Sequence, residues 1–505
     1  GGGGGGGGGD LGSTPLAASD TRIALRKPWS DPEFWGPGNP YLYFLEVQLT
    51  DADGRALDRR FTRFGFREFR VDGVDFVFNG QKPFHIQGES IAAWELPFHR
   101  CHLRWHYADH VQQANVNMLR FHKGGMLFPE NLDLADEMGM LICQESNFSL
   151  PADAVGDDGL PNVEQAMRAV GWVCDQVRNQ RNHPSCVMWS TENEFGSIRE
   201  TTDVDESVKR TAEIQLRLDG AVKEIDPTRP VVNNGGHTFL YTDAYKDDRV
   251  DVIDGHYVQP RFFSGWKEKY GKPVTLGEVS LGGDFGWTYQ GEVRSLRQQG
   301  QDPRPHFWRR LNAATLYMAG RIQAFRAIDV AGIWPFASTK RYHPFISLWD
   351  GADYSGASPE IAWPAQSGEQ IKRKHIIWGR GTYNFFDPAA PRATYLRTYD
   401  ALKDNFDEVP KLEPRFSPEV IVQILDPAGK PMADTPVWLI PTDQPGAPIG
   451  VVADAEGKAW FWCKSGAGEY TAMVRANGRE YQAAVTPAPV GEWLQVKTVV
   501  VRIPQ

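Results

Sequence analysis

Two glutamates stand at or a few residues beyond the ends of short apolar runs. One follows Cys186-Val187-Met188-Trp189, in the segment Trp189-Ser190-Thr191-Glu192-Asn193-Glu194-Phe195-Gly196, and the other closes Val274-Thr275-Leu276-Gly277-Glu278. Two carboxylates facing each other across one sugar are the minimal machinery for cleaving a glycosidic bond, one as acid/base and one as nucleophile or base. Each segment also has a bland reading. Glu-Asn-Glu suits a solvated turn or a helix cap, and Glu278 could form a buried ion pair with Arg120. Other polar side chains follow apolar runs in the same way: Arg120 and His122 in Arg120-Phe121-His122, and His256 and Tyr257 in Asp254-Gly255-His256-Tyr257. A lone histidine is more often structural. Two histidines, an arginine and a tyrosine at equivalent places raise the expectation of one shared pocket. Trp334, in Gly332-Ile333-Trp334-Pro335, could give such a pocket an apolar floor for a sugar ring, or could simply pack in the core.

These residues need a scaffold that brings strand ends together. Between about residues 72 and 340, apolar runs of four to seven residues alternate with amphipathic stretches, the pattern of repeated βα units around a parallel sheet. The candidate strands are 84–87, 117–120, 140–143, 186–189, 230–233, 252–255, 273–276 and 332–335. Eight is the number of a (β/α)8 TIM barrel, whose catalytic side chains sit at the C-terminal ends of its strands. Val163, Ala166, Met167, Val170, Val173, Cys174 and Val177 form an apolar stripe at helical spacing, and a second helix is expected over 205–224, stopped by Asp226-Pro227. Residues 341–391 are dense in aromatics without a clear period and read as a functional loop, followed by a helix over 393–406.

The flanks read differently. Tyr41 to Leu49, the turn Asp51-Ala52-Asp53-Gly54 and Phe61 to Arg67 predict strands joined by a hairpin. Residues 10–70 hold too few strands for a whole immunoglobulin-like sandwich, so the front of that domain is expected to be missing. Residues 1–9 are all glycine and read as a linker or placeholder. From about 415 to 505 the pattern is alternating strands punctuated at Gly429, Gly457 and Asn477-Gly478, which predicts a C-terminal β-sandwich. The expected domains are therefore 10–70, a barrel over 71–410, and 415–505.

Composition narrows the function. With 41% hydrophobic and 23% charged residues the chain is neither disordered nor fibrous. No run reaches the ~20 apolar residues of a membrane span. Lys and Arg number 54 against 64 Asp and Glu, with no basic block to neutralise a row of phosphates, so nucleic acid and membrane are excluded as expected partners. Cys101, Cys143, Cys174, Cys186 and Cys463 are spaced too widely for a metal or redox pair and read as core thiols.

Several motifs in order carry a resemblance: Asn39-Pro40-Tyr41-Leu42-Tyr43, Phe64-Gly65-Phe66-Arg67, Phe78-Asn79-Gly80, Asn117 with Arg120 and His122, Asp136-Glu137-Met138-Gly139, Asn182-His183-Pro184-Ser185, and Trp189 through Glu194. Together, over residues 36 to about 380, they resemble glycoside hydrolase family two. That family comprises the β-galactosidases, β-mannosidases and β-glucuronidases and is built from a jelly roll, an immunoglobulin-like domain and a (β/α)8 barrel. The resemblance implies a retaining exo-β-glycosidase, most similar to the β-galactosidase branch, with a carbohydrate substrate, no cofactor, no metal and possible homo-oligomers. It implies Glu194 as acid/base, Glu278 as nucleophile, Asn193 against the sugar 2-hydroxyl, and Tyr257 on the nucleophile. Arg120 and Trp334 resemble rim residues of the same subsite. His122 and His256 complete the expected set of substrate contacts. Two departures stand out. Glu192 occupies a place where family members often have a small residue, and Glu89, after Gly88, stands where an asparagine or similar polar residue is common. Both are expected to reshape the subsite that fixes specificity. No Asn-x-Lys element of the glucuronidase kind is present, with Lys123 or Lys340 as possible substitutes. The jelly roll is lacking, and a β-mannosidase, a β-glucuronidase or an inactive carbohydrate-binding scaffold are the alternative readings.

Overall fold

The computed structural model describes residues 10–17, 23–92, 116–148 except 123, 128 and 129, 154–195, 204–235, 243–279 except 264, 322–335, 419–462 except 443–447, 469–486 and 496–504, with a few positions between 295 and 301. Lys123, Lys340, Cys101, Cys463, the aromatic stretch 341–391 and the expected helix 393–406 lie outside the described residues.

Eight strands form one parallel sheet: β5 (Ile86–Ala92), β6 (Met118–His122), β7 (Leu141–Glu145), β8 (Cys186–Asn193), β9 (Val231–Asn234), β10 (Ile253–His256), β11 (Val274–Val279) and β12 (Gly332–Pro335). Their order runs β10-β11-β12-β5-β6-β7-β8-β9, with every neighbouring pair parallel. The sheet curls until β9 meets β10, where the Gly235 N–H donates to Asp254 Oδ2 at 2.8 Å. All eight expected strands are present. Several run past the apolar residues that announced them, and in β6, β7, β8, β10 and β11 every residue is buried. Strands covered on both faces need apolar residues on both, which is why they read as continuous runs. Continuation to Glu145, Asn193, His256 and Glu278 carries polar side chains into the same buried layer.

The outer layer includes α1 (Glu130–Met138), α2 (Val163–Ala166), α3 (Val170–Gln180) and α4 (Val204–Ile225). The expected stripe over 163–177 is split by a 3-10 turn at 167–169 between α2 and α3. Its buried members are Ala166, Val170, Val173, Cys174 and Val177, with Val163 and Met167 half-buried against them. Asn162 starts α2 by accepting the Gln165 N–H at 3.1 Å, an N-cap that satisfies one of the orphan donors of the first turn. Cys143, Cys174 and Cys186 are buried thiols.

At the N-terminal side, β1 (Tyr43–Thr50) and β2 (Ala56–Phe64) form an antiparallel hairpin whose turn is tied by Asp51 Oδ1, accepting from the N–H groups of Asp53 and Arg55. Val47, Leu49 and Leu57 on it are exposed. A second hairpin, β3 (Phe69–Asp72) with β4 (Asp75–Phe78), spans the boundary expected at residue 70. Its Phe69, Phe76 and Phe78 pack with Phe84, Met118 and Leu141 inside the barrel's N-terminal end. The hairpin pair is fastened there by polar contacts. Trp35 Nε1 donates to Asp136 O at 2.7 Å, and Arg67 donates to the carbonyls of Pro184 (3.1 Å) and Cys186 (2.8 Å). Arg63 donates to Glu137 Oε1 (2.8 Å), Asp133 Oδ1 (2.9 Å) and Gly450 O (2.8 Å), joining β2, α1 and the C-terminal unit at one guanidinium.

That unit is a sandwich of a three-stranded sheet, β16-β13-β19, and a four-stranded sheet, β15-β14-β17-β18. Its strands are β13 (Glu419–Leu425), β14 (Pro436–Pro441), β15 (Ile449–Val452), β16 (Lys458–Trp462), β17 (Tyr470–Ala476), β18 (Arg479–Val485) and β19 (Val496–Arg502), around a core that includes Val420, Val437, Phe461 and Val474. Asn477 and Gly478, both at positive φ, make the two-residue turn between β17 and β18. Phe44 of β1 meets Trp438 of β14 edge to face at 5.2 Å. No described helix is long and apolar enough to cross a membrane.

Candidate active site

Arg120, on β6, is fully buried and sits at the hub of the strand ends. Its Nε donates to Glu145 Oε2 at 2.8 Å and its Nη1 to Glu278 Oε1 at 2.9 Å, while Nη1 also reaches Ser90 Oγ and Gly277 O, each at 3.1 Å. Nη2 donates to Asn193 Oδ1 and lies 3.2 Å from His122 Nδ1. A buried guanidinium needs this many acceptors, because an unpaired charge in the interior is costly. Glu278 is held on both oxygens. Oε1 takes Arg120 and lies 3.3 Å from His122 Nδ1, and Oε2 accepts the Tyr257 hydroxyl. Burial by itself raises the Glu278 pKa, but His256, Arg120 and His122 beside it and the Tyr257 hydroxyl outweigh it and hold the carboxyl well below its ordinary range. Arg120 is the permanent charge among them. Burial lowers the His122 pKa, so this ring is neutral near pH 7.

Glu194 lies opposite, on the other side of His256. His256 Nδ1 is 2.8 Å from Glu194 Oε1 and 3.6 Å from Glu278 Oε2, and one atom from each of the three residues lies within 4.8 Å of the others. The two glutamates differ in setting: the Glu278 side chain is 4% exposed and the Glu194 side chain 32%. Glu194 and Tyr257 both have left-handed backbones, at φ 49° and 56°. Such a conformation is disfavoured for a side chain with a Cβ, and where it persists the surroundings impose it. At Tyr257 the restraint is visible, since its N–H donates to Glu278 O at 2.9 Å and turns the ring back over that carboxylate. Gly235, at φ 85°, leaves room for the pair beside it: a Cβ there would lie 2.9 Å from Glu194 Cγ and 3.0 Å from His256 Nδ1.

The strand ends therefore bring Arg120, His122, Asn193, Glu194, His256, Tyr257 and Glu278 into one constellation. Trp334 is 2% exposed and lies deeper, its indole over Gly88, where a Cβ would come within 2.1 Å of the ring. Two expectations are corrected. In β5, Gly88 and Ser90 point into the lumen, at Trp334 and Arg120 respectively, so the pleat turns Glu89 to the outer face, paired in register with Leu119. Ser90 holds the lumen position expected of Glu89. Glu192 also faces outward, its Oε1 accepting from Gln215 Nε2 of α4 at 2.9 Å, and it does not line the subsite. Three residues at the constellation were not anticipated as part of it: Glu145, Ser90 and Asp254. Glu145 ends β7 one residue beyond the apolar run Leu141-Ile142-Cys143, with Gln144 between, a signal close to the one that marks Glu278. Asp254 lies 3.7 Å from His256 Nε2, and burial raises its pKa to about 6.

Residues 12–67 match the model of Glycosyl hydrolases family 2, and residues 109–281 match that of the Glycosyl hydrolases family 2 TIM barrel domain. Both segments are similar to glycosyl hydrolase family 2. A β-glucuronidase of Paenibacillus borealis is 25% identical over an alignment 278 residues long that covers 48% of this chain and 43% of that protein, so the chain spans less than half of that relative's length. Among solved structures, β-glucuronidase 2 of Bacteroides uniformis is 16% identical, with a TM-score of 0.46 over 95% of this chain and 54% of that one. A family 2 β-galacturonidase of Eisenbergiella tayi, bound to galacturonate, is 20% identical, with a TM-score of 0.41 over 62% of this chain and 53% of that one.

Proposed function

We propose that the chain carries the catalytic barrel of a retaining exo-β-glycosidase, with Glu278 as nucleophile and Glu194 as acid/base. The observation that carries this reading is the pairing of two carboxylates of unlike environment on either side of His256. Their nearest atoms lie within 4.8 Å, on the scale of the ~5–5.5 Å that direct attack on the anomeric carbon requires. A nucleophile must be ionised, and the buried Glu278 is held as an anion by Arg120 and Tyr257. An acid/base must exchange protons with leaving group and water, and Glu194 is the more exposed of the two.

In the first step a Glu278 oxygen forms a bond to the anomeric carbon as the bond to the leaving oxygen breaks, and Glu194 gives that oxygen its proton. In the second, Glu194 takes a proton from water, the water oxygen bonds to the anomeric carbon from the vacated face, and Glu278 leaves as a carboxylate. The sugar keeps its β configuration through two inversions. Asn193 Nδ2, buried with no partner among the described residues while its Oδ1 is held by Arg120, is placed to donate to the sugar's 2-hydroxyl. Trp334 forms the deeper wall. The chemistry uses side chains alone.

The sequence resembled the β-galactosidase branch most. One relative that aligns with this chain is a β-glucuronidase, and on that ground a β-glucuronide is the first substrate to try. Hydrolysis of nitrophenyl β-glucuronide, β-galacturonide, β-galactoside and β-mannoside tests the reading. Turnover of one, lost in Glu278→Gln, is expected. Ligand binding with no turnover of any would favour the carbohydrate-binding scaffold.

A further inference from the structure

The turn that aims Glu194 is held from an unexpected side. In β8, Ser190 Oγ reaches Glu145 in the lumen at 2.7 Å and Thr191 Oγ1 reaches Asp219 of α4 at 2.7 Å. Simple alternation would return the next residue to the lumen. Instead the pairing with β9 shifts register between Ser190 and Glu192, and such a bulge re-aims the side chains that follow it. Glu192 stays on the α4 side, fully buried. Its Oε1 accepts from Gln215 Nε2 at 2.9 Å, and its Oε2 accepts the Phe195 N–H at 2.6 Å. The carboxyl thus brackets Glu194, starting two residues before it and ending on the amide directly after it, across the left-handed φ of 49°.

We propose that Glu192 is a positioning residue, whose buried carboxyl clamps the Phe195 amide and so fixes the left-handed turn that points Glu194 at His256 and across from Glu278. The proposal rests on the reading of Glu194 as acid/base. Burial holds the Glu192 carboxyl well above its usual range, with Glu145 and Asp219 adding to the effect, which favours the neutral acid. A neutral carboxyl and a carboxamide have the same shape, and each offers a carbonyl to the Phe195 N–H. The acid's O–H, or one N–H of the carboxamide, is met once the Gln215 amide turns to present its oxygen. Glutamine should therefore replace Glu192, and alanine should not.

Two measurements test the clamp, one independent of catalysis. In hydrogen–deuterium exchange, the Phe195 amide should be protected in wild type and in Glu192→Gln, and should exchange at least about 10-fold faster in Glu192→Ala, the loss of one buried hydrogen bond. Unchanged protection in the alanine variant overturns the proposal whether or not the chain is an enzyme. In kinetics, a misaimed acid hurts most where the leaving group needs a proton. Glu192→Ala should lose about 10²-fold in kcat/KM on an alkyl β-glycoside, within the range for general acid catalysis, and under about 5-fold on the dinitrophenyl glycoside, while Glu192→Gln stays within about 3-fold on both. Equal losses on the two substrates would make Glu192 merely structural and would overturn the proposal. A wild type without turnover fails the functional reading alone, leaving the exchange measurement to decide the clamp.

Discussion

Two clusters of the same composition lie at opposite ends of the barrel. Glu194, His256 and Glu278 meet at the C-terminal ends of the strands, and Asp133, Asp136 and His183 meet at the N-terminal ends, each with one atom per residue inside 4.8 Å of the others. What separates them is the arginine. At the N-terminal end Arg63 enters from β2 between the acids, 2.9 Å from Asp133 and 3.9 Å from Asp136, while His183 Nδ1 takes Asp136 Oδ2 at 2.6 Å and the Ser185 N–H takes Oδ1 at 2.9 Å. That cluster fastens the N-terminal hairpins to the barrel. At the other end Arg120 serves Glu278 and Glu145 from below and leaves the gap between Glu194 and Glu278 spanned by an imidazole. Two acids and a histidine do not make a site by themselves. A site requires that the cation neutralise one acid and leave the other to exchange protons, on the face where barrel loops can admit a ligand.

The sharpest way to break this contrast is to make the same change at both ends. Glu278→Gln should lower kcat by about 10⁴-fold or more, the scale seen when a nucleophile is removed, while Asp136→Asn should leave kcat/KM per folded molecule unchanged and lower Tm. Activity assays beside thermal melts check both, and a catalytic loss in Asp136→Asn would erase the distinction. Next in size is Arg120→Leu, which strands Glu145 and Glu278 in the interior and should cost about 3–5 kcal/mol in urea unfolding. Gly88→Ala, whose Cβ would meet the Trp334 ring, should cost about 1–3 kcal/mol through overpacking and should weaken substrate binding if Trp334 walls the pocket.

The smallest effect is a pH dependence of opposite sign at the two ends. Burial lowers the His183 pKa, but Asp136 and Asp133 more than offset this and raise it above its ordinary value of about 6.5. A group whose folded pKa is raised gives stability that is complete below its unfolded pKa and lost as pH rises through the folded one. His183→Gln should therefore flatten the fall in stability just above pH 6.5. Glu278 is shifted down, so its contribution is complete above about pH 4.3 and is lost as pH falls below that, which Glu278→Gln should abolish. Stability measured against pH in the two variants checks the signs.

Much of this was legible before the fold was known, for identifiable reasons. Parallel strands buried on both faces must be apolar throughout, so all eight showed as runs, and the polar residues closing them marked the rim. Glu145 obeys the same rule after Leu141-Ile142-Cys143 and could have been found by it. The β3–β4 hairpin was not anticipated, although Asp72-Gly73 between apolar residues could have marked it. Glu89 and Glu192 were misplaced because facing is decided by the pleat and by a bulge. The pleat at β5 is fixed by which neighbour reaches Trp334, and the bulge in β8 by pairing with β9, neither of which is local. Arg63 could not be distinguished from the half-buried Arg59 and the exposed Arg60 on the same strand, because its partners Glu137 and Gly450 come from distant parts of the chain.

The central claim is that Glu194 and Glu278 act by double displacement. It is tested most directly by proton NMR of the first sugar released from a β-glycoside, read before mutarotation. The β anomer is predicted. An initial α anomer would contradict the account, even if both glutamates proved essential.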